Sequence, residues 1–151
     1  MRRDRYTAYL KSAIRGYAHD NIAAGRWDRA GAVERARADF EFLLPHGVDT
    51  PDNFLFEILA GDYGPVVGFA WLAIDRKYGP VSAYLYDIGI DAAHRRKGHG
   101  MRALRALEDF ATGAGASSIG LNVFANNGEA QSLYWKLGYV PTNFNMRKRL
   151  R

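Results

Sequence analysis

The sequence predicts a mixed α/β sandwich, an open sheet with helices packed on it, rather than a uniformly doubly wound fold. Three observations carry that expectation. Two stretches near the N-terminus repeat apolar residues at three- and four-residue spacing. That spacing then gives way to short runs rich in β-branched and aromatic residues. From Ser82 to Phe124 a strand, a helix and a second strand follow in turn. Such a crossover is right-handed with parallel strands, whereas the hairpin ahead of it is antiparallel, so the sheet is mixed.

Each element has its own signal. Tyr6, Tyr9, Leu10, Ala13, Ile14 and Tyr17 mark one face of a helix that stops near Ala24-Gly25. A second helix is expected from Asp28 as N-cap through Val33, Ala36, Phe40, Leu43 and Leu44, closed by Pro45. Phe54 to Leu59 and Val66 to Ile74 form a hairpin across the turn composition Gly61 to Pro65. A third strand runs from Ser82 to Ile90. The next helix spans about Gly98 to Thr112, with Ala103, Leu104, Leu107, Phe110 and Ala111 on one side and Arg102, Arg105 and Asp109 on the other. A strand from Ser118 to Phe124 follows, then a helix from the N-cap Asn127 to Gly138, and a last strand over Phe144 to Lys148. The order is α-α-β-β-β-α-β-α-β.

Composition narrows the function. The 151 residues are 48% hydrophobic and 25% charged, with no cysteine. That length suits one domain over residues 1–151 and buries enough surface to need no staple. Without cysteine there is no disulfide, thiolate zinc site, iron–sulfur centre or cysteine nucleophile. No apolar run approaches the roughly 20 residues of a membrane helix. The charged N-terminus lacks the apolar stretch of a secretory signal. A cytoplasmic chain with no metal is expected. Lys and Arg total 21 against 16 Asp and Glu, a net +5 that favours anionic partners. The cationic ends, including Arg147, Lys148, Arg149 and Arg151, read as solvated tails.

Arg95-Arg96-Lys97 is different, because Gly98-His99-Gly100 and Met101 follow it and open a helix. A helix N-terminus offers unpaired N–H groups and partial positive charge, and glycines let an anion approach the backbone. Three phosphate-binding readings compete. A P-loop needs Lys and then Ser or Thr after its second glycine, where this chain has Met101-Arg102. Gly98-x-Gly100-x-x-Ala103 matches the dinucleotide fingerprint in form. However, the residues from Asp91 to Lys97 separate it from the strand, and the acidic ribose ligand about 20 positions on is replaced by Ser117-Ser118-Ile119-Gly120.

The third reading fits better. Arg95-x-x-Gly98-x-Gly100 resembles the pyrophosphate loop of the GNAT superfamily, the acyl-CoA-dependent N-acyltransferases. Asn127-x-x-Ala130-x-x-Leu133-Tyr134-x-Lys136-Leu137-Gly138-Tyr139 resembles the family's second signature, and Leu121-x-Val123 its fifth strand. The resemblance spans Ser82 to Tyr139. It implies a splayed mixed sheet flanked by helices. The family's usual first strand is missing or truncated, since this chain opens almost directly into a helix.

Function is implied residue by residue. Arg95, Arg96, Lys97, Gly98, His99, Gly100 and Met101 would wrap the pyrophosphate of CoA. The backbone of the strand from Tyr86 to Ile90, Ile88, Gly89 and Ile90 above all, would pair with pantetheine, beside a bulge near the thioester. Gly89 inside a strand pattern independently points to a bulge or to close backbone approach. Asn127 would lie along pantetheine while capping its helix. Tyr134 would protonate the departing thiolate, its ring packed beside Ala130, Leu133 and Leu137. Acetyl would pass from acetyl-CoA to a primary amine of a small molecule or peptide, by direct attack through a tetrahedral intermediate. The acceptor side would be built from the helix pair and Leu44 to Asn53. The position of the family's general base is Tyr84 here, leaving Asp87, Glu57 or a water. A homodimer is compatible; nucleic acid and membrane are not expected. The rivals are a dinucleotide-binding oxidoreductase and a non-enzymatic basic nucleic-acid-binding module.

Overall fold

The computed structural model describes all 151 residues. The chain opens with α1 (Arg3–Ala23) and α2 (Ala32–Leu43), and a 3-10 turn at Gly47–Asp49 leads into the sheet. β1 (Asn53–Leu59), β2 (Val66–Asp75) and β3 (Ser82–Ile90) follow, then a 3-10 turn at Ala92–His94 and α3 (His99–Gly113). β4 (Ile119–Leu121) and α4 (Gly128–Lys136) complete the set. The sheet order is β1-β2-β3-β4, antiparallel across the first three strands and parallel between β3 and β4. No helix is long and apolar enough to cross a membrane.

The helix pair covers one face of the sheet. Tyr9, Ala13, Ile14 and Ala18 of α1 pack with Ala36 and Phe40 of α2 against Leu55 and Trp71 of the sheet. Behind α1 the buried Asn21 ties the turn to the helix: its Nδ2 donates to Tyr17 O at 2.8 Å, and its backbone carbonyl accepts from Arg26 and Trp27. An aromatic line crosses this layer, from Trp27 to Tyr17 (5.2 Å between ring centres), Phe40 (6.0 Å) and Trp71 (5.5 Å). The other face buries Leu72, Ile74, Ala83 and Leu85 beneath Leu104, Leu107 and Ala111 of α3. Two layers of helix thus cover both faces of one sheet.

The structure corrects three expectations. α2 begins after Gly31, held at φ 74°, and not at Asp28, whose side chain caps nothing; a left-handed glycine turns the chain into the helix where a side-chain cap was expected. β4 is three residues long instead of seven. The strand expected over Phe144 to Lys148 is absent: residues 137–151 hold no regular structure. Alternating Phe144 and Met146 favour a strand, but no backbone group after Tyr139 finds a partner in the chain, and a strand without a neighbour has nothing to bond to.

Leu104 sits fully buried at the centre of the α3 face. Leu104→Ala should cost about 2–5 kcal/mol through lost transfer energy and a residual cavity. Urea unfolding should show a lower midpoint with an unchanged m-value.

Candidate active site

The site begins with a parting of strands. β3 pairs with β4 only through Ala83–Ile119, Tyr84–Gly120 and Leu85–Leu121. Its pairing with β2 continues to Ile90. Between the two regimes Leu72 faces Leu85 while Trp71 faces Asp87, so Tyr86 is one residue too many. Such a bulge bends its strand and sharpens the local twist, and here the β4 ladder ends at the residue before it. From Tyr86 to Ile90 no residue of β4 pairs with the strand. The expected divergence of the two strands is therefore present.

The bulge is at Tyr86 and not near Gly89, because it is there that the register with β2 slips. Gly89 answers the other reading, close approach. A Cβ on Gly89 would lie 2.8 Å from Phe69 Cζ, and one on Gly68, which pairs with Ile90, would lie 2.1 Å from Gly89 O. The extra residue also switches side-chain parity. Ala83, Leu85, Ile88 and Ile90 share the α3 face, while Tyr84, Asp87 and Gly89 align with Ala73, Trp71 and Phe69 on the helix-pair face. Tyr86 joins that second group by stacking on Trp71 at 4.4 Å.

Beyond Ile90 the chain turns into α3. Arg95 donates from Nε to Ile90 O at 2.9 Å, so its guanidinium fastens the loop to the strand end. Arg96 (φ 63°) and Gly98 (φ 80°) are both left-handed. Alternation of this kind turns successive N–H groups toward one concavity, a form suited to anions. No side chain caps α3, leaving its first N–H groups available. Lys97 reaches back toward Ala93 O, and the exposed Arg96 guanidinium lies 3.5 Å from Glu129. Desolvation, with the charges of Arg102, His94 and Lys97, lowers the His99 pKa and favours its neutral form. A Cβ on Gly100 would make only ordinary contact, 3.5 Å from Leu133. The left-handed turn thus depends on Gly98, while Gly100 and the half-buried Met101 sit in the helix's first turn.

α4 supplies the far wall. Asn127 Oδ1 accepts from the Ala130 amide at 3.2 Å, the expected cap. Gln131 Nε2 donates to the carbonyls of Phe124 and Ala125 at 2.9 and 3.1 Å, holding α4 to the chain leaving β4. Tyr134 is buried, and burial followed by the Asp87 charge raises its pKa. Asp87 itself is half-buried and accepts from Tyr9 Oη at 3.2 Å. Burial pushes its carboxyl up to about 6, against the opposing pull of the Tyr9 hydroxyl and Ile88 amide. Glu57 stands two strands away, 3.5 Å from Arg5 of α1. It lies in register through Phe69 with Gly89. On the helix-pair face an open groove of about 800 Å³ runs past Pro45, His46, Asp75, Tyr84, Tyr86 and Gly120. The expected acceptor loop forms part of its wall.

Residues 20–139 match the model of the acetyltransferase (GNAT) family. The chain belongs to the GNAT acetyltransferase family. It is 33% identical to the uncharacterised N-acetyltransferase YdgE of Bacillus subtilis over 150 residues, 99% of this chain and 95% of that one. YycN of the same organism is 31% identical over 99% of this chain and 96% of its own. The crystal structure of YycN superposes with a TM-score of 0.94 over 100% of this chain and 96% of that one. The chain is therefore an acyltransferase, and the oxidoreductase and nucleic-acid readings fall away.

GNAT enzymes use acetyl-CoA as cosubstrate, and the residues present fit it. The wedge exposes unpaired β3 backbone, and the left-handed turn at Arg96–Gly98 opens the α3 N-terminus beside it. Ile88, Gly89, Ile90 and the loop from Arg95 to Met101 come together around that opening, with Asn127 and Tyr134 on α4. Sequence reasoning missed the Tyr9 contact with Asp87 and the bulge at Tyr86. Tyr9 carries no signal beyond helical spacing. Tyr86 did have one: apolar parity slips from Ala83 and Leu85 to Ile88 and Ile90.

The Asp87 carboxyl has a stability consequence. The folded chain keeps its proton up to about pH 6, whereas the unfolded group releases it near 3.8. Between those values the folded state binds more protons, so stability falls as pH rises. Asp87→Asn should unfold at a higher temperature than wild type at pH 8, with the margin shrinking toward pH 4. Equal margins at both pH values would refute the buried-carboxylate account.

Proposed function

We propose that the chain transfers acetyl from acetyl-CoA to a primary amine, with Asp87 as general base and Tyr134 as general acid. The reading rests on one observation above the others: the two side chains approach from opposite faces of the sheet where β3 and β4 part. The α3 N-terminal loop would hold the pyrophosphate through backbone N–H groups, and the open edge of β3 would pair with pantetheine. The amine would enter from the groove beside Tyr84 and Tyr86.

Each step follows from the groups present. A protonated amine cannot attack, and Asp87, more basic than an ordinary carboxylate, accepts its proton. The nitrogen lone pair then adds to the thioester carbonyl carbon. The strand amide nearest the bulge stabilises the oxyanion, the largest electrostatic contribution in such reactions. The intermediate collapses by breaking the carbon–sulfur bond, Tyr134 donates its hydroxyl proton to the sulfur, and the second proton lost by the nitrogen restores the tyrosine hydroxyl through water. A raised tyrosine pKa keeps that proton in place until the thiolate forms. Positioning two substrates in one wedge supplies much of the remaining acceleration.

A thermal-shift panel tests the cosubstrate. CoA and acetyl-CoA should stabilise the chain, while NAD, NADP and short oligonucleotides should not. Gly98→Val should abolish most of that shift by straining a left-handed turn. Arg96→Ala should reduce it less, since an exposed cation acts through screening water.

Catalysis is tested by Tyr134→Phe, which keeps the ring and removes the proton. A free thiol has a pKa near 8.5, a tolerable leaving group, so the loss should be at the low end for general acids. We expect kcat to fall about 100-fold with acetyl-CoA affinity unchanged. The kcat/KM profile should lose activity as pH falls through about 6, where Asp87 protonates. Wild-type kcat in the Phe variant, with chemistry rate-limiting, would remove Tyr134 from the mechanism.

A further inference from the structure

The groove beside Tyr84 and Tyr86 has an order along its length that the acetyl-transfer step does not use. Rows across the sheet define it. Nearest the parting of the strands Trp71 faces Asp87, and the Tyr86 ring stacks on Trp71 at 4.4 Å. The next row is Ala73, Tyr84 and Gly120. Tyr84 therefore stands between two small residues, and a Cβ on Gly120 would lie 3.5 Å from its ring. Tyr84 meets Tyr86 edge-on at 4.8 Å, so the two rings make one aromatic floor. The row after that pairs Asp75 with Ser82. Trp71, Ala73 and Asp75 alternate along β2, which puts Asp75 on the same face of the sheet as Asp87. Four strand residues separate the two rows, about 13 Å at the rise of a β-strand.

We infer that this groove takes an elongated diamine, with one nitrogen at the Asp87 end and the second, protonated nitrogen on Asp75. The sign of the distal charge follows from what surrounds it. Asp75 is exposed and forms no ion pair, its Oδ1 accepting only from the Lys77 amide at 2.9 Å. Its field reaches the floor of the groove: burial, and then the Asp75 charge, raise the pKa of Tyr86. The two cations at that end are placed differently. Arg76 is engaged, with Nε on Asp52 at 3.3 Å and Nη1 on the Ala114 carbonyl at 3.0 Å. Lys77 stands beyond the end of β2 on a flexible stem, whereas Asp75 is fixed by its ladder. Between the two carboxylates an occupant crosses tyrosine rings, whose faces attract cations and methylenes and repel anions. An apolar spacer with an ammonium group at each end meets all of these conditions. That the nitrogen at Asp87 is then acetylated rests on the acetyl-transfer reading; the diamine site itself does not.

Amines of one length and different distal charge test the site by calorimetry: diaminooctane, aminooctanol and aminooctanoate. Diaminooctane should bind tightest and aminooctanoate weakest. Asp75→Asn should weaken diaminooctane about fivefold, the scale of an exposed ion pair, and leave aminooctanol unchanged. Asp75→Lys should reverse the order in favour of aminooctanoate, with folding of both variants checked by circular dichroism. Diaminobutane, too short to reach both carboxylates, should bind wild type and Asp75→Asn alike. Aminooctanol or aminooctanoate binding as tightly as diaminooctane overturns the proposal. So does an Asp75→Asn chain that loses no affinity, or a wild-type chain that takes up none of the amines. Acetyl transfer is scored separately, after acetyl-CoA is added. Diaminooctane that binds through Asp75 and is never acetylated would refute the acetyl-transfer reading and uphold the site. Diaminooctane acetylated without any dependence on Asp75 would refute the site and uphold that reading.

Discussion

β3 has to satisfy two neighbours that ask for different things, and the extra residue at Tyr86 is how it does so. Its ladder with β2 runs from Ser82 to Ile90, which holds the strand rigid. Its ladder with β4 stops at Leu85. A regular strand could not leave one partner so abruptly while keeping the other, because a ladder ends only where the strand bends or the neighbour does. The bulge supplies the bend at the expense of one unpaired residue. The open backbone of the wedge, the parity switch and the placement of Asp87 on the helix-pair face all follow from that insertion.

The helix pair then keeps the carboxylate in place. Asp87 would leave a poorly solvated acid beneath α1 if nothing met it. Tyr9 meets it with a hydroxyl at 3.2 Å, and Tyr9 is itself fixed by its edge-on ring contact with Phe69 at 4.7 Å. Phe69 in turn fills the space that a side chain on Gly89 would need. The helix-pair side of Gly89 is thus filled by Phe69. Packing and the candidate site share the same few residues here, so α1 shapes the site without lining the opening between β3 and β4.

Much of this was legible in the sequence, and the limits have physical causes. The elements with strong periodicity, α1, α3 and the three long strands, lie where spacing predicts them, because an amphipathic face has one way to be buried. The glycine-rich loop and Asn127 are local devices, readable over a few residues. Tyr9 and Asp87 meet across 78 positions, and nothing in either neighbourhood announces the other. The misplaced N-cap at Asp28 shows the opposite failure: a good capping residue was present, but Gly31 made the turn instead. The last strand failed for a different reason. Its pattern is correct for a strand, yet strand formation depends on an available edge as much as on sequence.

Arg95 connects the two halves of the wedge. Its side chain bonds the carbonyl of Ile90, the last residue of the open β3 edge, while its backbone begins the left-handed turn that leads to α3. The end of β3 and the left-handed turn before α3 are therefore tied together by one residue, and neither can shift without the other. This also explains why three adjacent cations need not act alike. Arg95 uses its guanidinium internally, Lys97 turns back to the 3-10 turn, and Arg96 stays exposed near Glu129. The chemistry facing the opening is then mostly backbone N–H, held by glycine geometry, with the cations supplying a diffuse field. A cradle made of backbone is fixed before any ligand arrives, which keeps the ordering cost of binding low.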